Sequence, residues 1–252
     1  MKRIAVCILA TLSLLAFVPQ RKALPGSAKG ETRYVVHYKR DGINAKMATC
    51  TLTLKEGVWQ DTPAYNATFS IRAANVFKLF LLSEYKVSLL LSKDDMHPYY
   101  YSFQHKKKGR QRHLEFFYKE QEVESVLQIE GQSEPIRHTY PIKNEVTMEV
   151  ASFAFFLRCL EPAVLGSGPL RVKLLMASVA VPSELRYIGE DHTFWPGEDA
   201  HHYVVKMLSR GLMENGAGDE IHVWISSKPE HSIRGLEVIL GKGSVTARME
   251  LP

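Results

Sequence analysis

What the chain lacks bounds it first. It has no Gly-x-Ser-x-Gly elbow and no local Cys-His motif, so neither a hydrolytic serine nor a catalytic thiol is signalled. Glu190, Asp191, His192, Glu198, Asp199, His201 and His202 gather donor types, but their spacing matches no zinc pattern, and adjacent His201 and His202 on a strand face opposite ways. No metal or cofactor is expected. The paired carboxylates of a glycan hydrolase stay open at this level, because their separation is spatial.

Cysteine is scarce, with three in 252 residues. Cys7 lies in an N-terminal apolar run, which leaves Cys50 and Cys159. An oxidising compartment would let these two pair. The bridge would close a loop of about 110 residues and add on the order of 4–5 kcal/mol. Two separate buried thiols acting as small hydrophobes are the alternative.

Long hydrophobic runs are also missing. The longest, Ile4–Val18, is about fifteen residues against the roughly 20 of a bilayer-spanning helix. It follows Lys2 and Arg3 and precedes Pro19, the layout of a secretory signal peptide. Small residues at Gly26 and Ala28 favour cleavage after Ala28. Residues 1–28 are thus expected to leave, and 29–252 to form one exported β-rich domain with Gly166-Ser167-Gly168-Pro169 as a subdivision point. Processing removes Lys2, Arg3, Arg21 and Lys22 and no acid, lowering the formal charge from +5 to +1. That balance gives no case for a nucleic-acid partner.

What is present is period-two alternation. Tyr34, Val36 and Tyr38 oppose Val35 and His37; Asp41-Gly42 turns; Ala48, Cys50, Leu52 and Leu54 then oppose Thr49, Thr51 and Thr53. Tyr65, Ala67, Phe69, Ile71 and Ala73 form the apolar face of a third strand. The bunched apolar residues of Asn75–Leu82 read as a short helical turn or a buried crossing. Strands resume at Tyr85–Leu91, Pro98–Gln104, Leu114–Tyr118, Val123–Ile129 and His138–Ile142, a meander. One segment departs from it: Val150, Phe153, Ala154 and Leu157 fall at helical spacing, which predicts an amphipathic helix over Val146–Leu160, stopped by Pro162 and laying one stripe on the sheet. Strands return at Val172–Ser178, Glu184–Tyr187 and His202–Leu208. Three more close the chain between Ile221 and Leu251, around turns at Ser227–Glu230 and Gly241-Lys242-Gly243.

The succession Tyr34-Val35-Val36-His37-Tyr38 with Gly42-Ile43-Asn44-Ala45, the Ala151–Arg158 segment ending in Leu-Arg, Arg186–Asp191 leading to Pro196-Gly197 and Tyr203-Val204-Val205, and Val223-Trp224-Ile225-Ser226 with Gly243-Ser244-Val245 resembles a bacterial exported family known as domain of unknown function 3108. The likeness spans nearly the whole processed chain and rests on order and spacing. Lys46, Glu84 and Pro229–Ser232 depart from it. The resemblance implies a curved antiparallel sheet or open barrel and carries no activity with it. Together with the alternation, it gives a mainly β fold class: a curved antiparallel sheet, open barrel or sandwich with one amphipathic helix.

Two candidate sites follow. Tyr65, Phe69, Tyr85, Leu89 and Tyr101 share the inward face of neighbouring strands, where they would line a pocket for a lipid or polysaccharide of the envelope or make a dry core. Lys106, Lys107, Lys108, Arg110 and Arg112 crowd a hairpin tip, where they would meet a polyanion or simply guard strand edges as solvated charge. The resulting expectation is a non-catalytic binding or scaffolding protein outside the cytosol. A protein-interaction module without small ligand is the second reading, and a glycan hydrolase the third.

Overall fold

A computed structural model describes residues 30–74, 83–107, 110–143, 145–166, 168–176, 179–195, 197–208, 220–240 and 243–250. The expected signal peptide, the 75–82 crossing, Lys108 and the 241–242 turn lie outside the described residues, as do Ser167 and Pro196 of the anticipated turns.

The chain leaves the middle of one sheet and comes back to it. Strands β1 (Gly30–Arg40), β2 (Ile43–Trp59), β3 (Thr62–Ala73), β4 (Ser83–Ser92), β5 (Pro98–Lys107), β6 (Arg110–Tyr118), β7 (Glu122–Ile129) and β8 (Ile136–Pro141) follow one another outward, each antiparallel to the last. Asp41 and Gly42, and then Gln60 and Asp61, all have positive φ, the geometry of two-residue turns whose twist matches that of the strands they join. The second meander starts at the far edge with β9 (Val146–Glu149). Helix α1 (Val150–Arg158) and a short 3-10 turn (Pro162–Leu165) then lead to β10 (Leu170–Met176), β11 (Val179–Asp191), β12 (Ala200–Met207), β13 (Glu220–Ser226), β14 (Ile233–Leu240) and β15 (Gly243–Met249).

Pairing of β1 with β15, from Tyr34 opposite Met249 to Arg40 opposite Gly243, joins the two meanders into one sheet of fifteen described strands. β9 runs parallel to β10, and a parallel neighbour requires a crossover, which α1 supplies. Register shifts at Val36/His37, Leu90/Leu91, Tyr187/Gly189 and Trp224/Ile225 bend the sheet. Its two edges, β8 and β9, are consecutive in sequence, so the connecting segment tethers them near each other. The Glu149 backbone N–H, which donates to the Tyr118 hydroxyl at 3.1 Å, ties β9 to β6 across the opening. The fold is therefore a mainly β, barrel-like curl that does not close its hydrogen-bond ladder.

The helix is where the structure corrects the sequence reading. Val146–Glu149 is a strand, because Val146, Thr147 and Met148 find β-partners in Val172, Lys173 and Leu174. Nor is α1 one-striped: Ser152 through Arg158 are all buried. It lies inside the curl, and Phe153, Phe155, Phe156 and Leu157 share one core with Leu52, Leu54, Tyr65, Leu89 and Leu91 on one side and Leu174, Leu185, Tyr203 and Ile221 on the other. A helix enclosed by a sheet can be apolar all round. The helix ends at Arg158, ahead of Pro162, and Pro162 opens the short 3-10 turn that follows.

Candidate functional site

Beside the N-terminal half of α1 the interior is not filled. A cavity of about 630 Å3 opens there, within the range of small-molecule sites. Phe69 of β3, Tyr101 and Phe103 of β5, and Leu114 and Phe116 of β6 form one wall; Leu175 and Met176 of β10 face them, and Ile233, Leu236 and Ala247 complete the enclosure. Helix α1 contributes Val150, Ala151 and Ala154. Alanine at these two positions leaves room that the neighbouring phenylalanines Phe153, Phe155 and Phe156 would have taken. Val179, 45% exposed, borders the mouth.

The cavity has one buried acid. Glu149 is the N-cap of α1, and its oxygens accept from the Ala151 N–H at 2.6 Å and the Ser152 N–H at 2.7 Å, as carboxylates at helix starts do. Burial in apolar surroundings nevertheless pushes its carboxyl up to about 7, against the lowering effect of the hydrogen bonds from Ser152 and Ala151. The sequence reading placed Glu149 inside a helix and so missed it. The signal available was a single acid at the border of a strand-period and a helix-period segment.

Of the residues expected to line a pocket, Phe69 and Tyr101 do. Tyr65 and Leu89, on the same face, are packed into solid core. Tyr85 lies apart: its ring stacks on His105 at 4.7 Å and borders a polar groove with Lys86, Gln104, Lys106 and Gln111. In the basic hairpin, Lys106 and Arg112 are exposed. Lys107 pairs with Arg110 at the end of the β5–β6 ladder, and Lys108 is outside the described residues. Cys50 lies on the cavity wall and Cys159 in the core, and no disulfide joins them.

The acid and histidine group between β11 and β14 is occupied in holding the outer surface together. Burial alone would raise the Asp191 carboxyl, yet hydrogen bonds from Thr193, the Phe194 N–H and the Trp224 indole hold it well below the usual carboxylate range. His202 stacks on Trp224 and lies 2.9 Å from a His222 nitrogen, His201 bonds Tyr187, and His192 pairs with Asp199. Among the described residues no group of three or more His, Cys, Asp or Glu is placed to hold a metal ion.

A family model described as "Protein of unknown function (DUF3108)" matches residues 33–250, and the chain belongs to that family. None of the curated proteins matches it. Among solved structures, the fold is similar to the beta-barrel-like protein of domain of unknown function DUF1849 from Brucella abortus, at 10% identity and a TM-score of 0.52, covering 88% of this chain and 97% of that one. A more distant likeness, at 10% identity and a TM-score of 0.28, is to the lipoprotein LppX of Mycobacterium tuberculosis, covering 87% of this chain and 84% of that one.

Proposed function

We propose that this member of the DUF3108 family is a non-catalytic, exported protein that holds an apolar or amphipathic molecule, a lipid chain foremost, in the cavity beside α1. The observation that carries the reading is the cavity itself: about 630 Å3 of apolar-lined space preserved next to a fully packed core. An apolar-lined space of this size, kept open to its mouth beside a packed core, is better understood as room for a guest than as a packing fault. Lipid fits better than polysaccharide, because a sugar chain needs converging polar groups and the lining offers few beyond Glu149 and the Tyr101 hydroxyl. The signal-peptide character of residues 1–28 supports a site of action outside the cytosol. In this reading residues 29–252 work as one unit, and the basic β5–β6 hairpin with Lys106, Lys107, Lys108, Arg110 and Arg112 is the part that would approach an anionic surface.

A second reading has its own observation: β8 is an exposed strand at the sheet edge, with Ile136 40% exposed, which suits pairing with a strand of a partner protein. Native mass spectrometry of the protein isolated from its own cells separates the two. A co-purifying lipid mass is expected; a protein subunit instead of lipid, with no lipid taken up on addition of vesicle extract, would overturn the first reading in favour of the second.

A further inference from the structure

The other end of α1 carries a polar space. A pocket of about 110 Å3 lies there, walled by Thr32, Tyr34, Arg158, Glu230, Ser232 and Ile233 together with the start of β1 and part of β2. Arg158, the last residue of the helix, is only 6% exposed. Its Nε donates to the His231 carbonyl at 2.9 Å and its Nη2 to the Glu230 carbonyl at 3.1 Å. A guanidinium has five N–H groups, so these two bonds leave donors over, and among the described residues no carboxylate comes within ion-pair distance of Arg158. Of the two acids at the pocket, Glu31 pairs with Arg33 at 3.2 Å, while Glu230 lies 3.4 Å from Arg234, which Glu198 also holds, and favours the charged Arg158 electrostatically without ion-pair contact. The Ser232 hydroxyl is buried and has no hydrogen-bond partner.

A buried cation with no carboxylate in ion-pair contact and a buried hydroxyl without a partner both cost stability. Where they face the same small space, an incoming anion removes both costs at once, and carboxylate and phosphate are the groups that match a guanidinium fork. Tyr34 and Ile233 wall this pocket and the apolar cavity alike. The hydrogen bond from the Tyr34 hydroxyl to the Ile233 carbonyl, 3.0 Å long, crosses between the two strands at that shared wall. The two spaces thus flank opposite ends of a helix that is roughly 13 Å long.

We propose that Arg158 and Ser232 form an anion site for the carboxylate or phosphate head of an amphiphile whose apolar chain lies in the cavity. The placement of the chain rests on the function proposed above; the anion site rests on Arg158 and Ser232. Seating both parts requires the Tyr34–Ile233 hydrogen bond to open.

Calorimetry on lipid-stripped protein tests this with three probes of equal chain length, dodecanoate, dodecyl phosphate and dodecanol, each below its aggregation concentration. At least one anion is expected to bind about tenfold or more tighter than dodecanol, and Arg158→Gln and Ser232→Ala to shrink that preference while dodecanol affinity stays within about twofold. The tighter of the two anions names the head group. Because Arg158→Gln can compromise folding, the comparison of anion with alcohol in the unsubstituted protein and the Ser232→Ala variant both stand without it. Equal affinities for all three probes overturn the anion site and leave the cavity reading intact. An anion preference that survives both substitutions overturns its assignment to Arg158 and Ser232, and failure of all three probes to bind overturns the cavity reading and the site together.

Discussion

Glu198 and Arg234 form a forked ion pair, with Nη2 of the arginine 2.5 and 2.7 Å from the two carboxylate oxygens and each side chain about a tenth exposed. Ser226 donates its hydroxyl to the same carboxylate, and Lys228 reaches it at 3.0 Å. The pair thereby binds the loop before β12 to β13, the turn after it and the start of β14.

Burial would raise the Glu198 carboxyl, but the hydrogen bonds from Ser226, Arg234 and Lys228 outweigh it and bring the group down to about 2. An unfolded glutamate titrates near 4.3, so the folded state binds fewer protons between those values. The stabilisation is complete above about pH 4.5 and is lost as the pH falls toward 2. Glu198→Gln should cost about 3 kcal/mol at pH 7 by urea unfolding. The gap between the two proteins should close on acidification; a constant gap down to pH 2.5 would contradict the pairing.

Glu149 titrates the other way. Its carboxyl, pushed up to about 7 by burial, holds a proton in the folded protein over a range where the unfolded chain has released it. The contribution is therefore fully present below about pH 4.3 and is lost as the pH rises through 7. A shift from the model-peptide range to about 7 corresponds to roughly 3 kcal/mol across that window. Glu149→Gln keeps an acceptor for the Ala151 and Ser152 N–H groups but cannot ionise, so its stability should stay flatter than that of the unsubstituted protein between pH 5 and 8. Parallel curves for the two would show that Glu149 ionises as it does in water.

Gly235 is required by contact rather than by backbone angle. A Cβ there would sit 2.3 Å from the Phe194 ring and 3.0 Å from the Ala247 carbonyl. The ring has little room to yield, because it stacks on Trp224 at 3.8 Å and has the Arg248 guanidinium 4.5 Å from its centre. Gly235→Ala should cost about 1–3 kcal/mol and perturb tryptophan emission. Combined with Phe194→Ala it should cost less than the two changes summed, with a coupling on the order of 1 kcal/mol; strict additivity would mean the clash is not with that ring.

Strands were legible because alternation is local: Ala48, Cys50, Leu52 and Leu54 declare an inward face whatever they later meet. The strand–helix boundary at Glu149 was not, since Val146-Thr147-Met148 becomes β only by pairing with Val172, Lys173 and Leu174, more than twenty residues on. The burial of α1 on every side depended likewise on both meanders wrapping it. The candidate site was legible only as a face. Phe69 and Leu89 both point inward, yet one borders empty space and the other solid core, and the difference lies in Ala151 and Ala154 on a helix distant in sequence. Arg158 read only as the end of a helical segment; its enclosure with no carboxylate in ion-pair contact came from the 230–233 segment folding over it.

Cys50 offers a reporter from within the cavity. Burial pushes its thiol up to about 11, so at pH 8 little of it is the reactive thiolate. Both Cys50 and Cys159 should be found as free thiols by non-reducing mass spectrometry, and iodoacetamide should modify Cys50 in native protein on the order of a hundredfold more slowly than in urea. Because Cys50 shares a wall with Phe69 and Tyr101 while Cys159 sits in packed core, a ligand in the cavity should slow Cys50 further and leave Cys159 unaffected. Dodecanol that binds by calorimetry yet leaves the Cys50 rate unchanged would place the apolar site elsewhere on the protein.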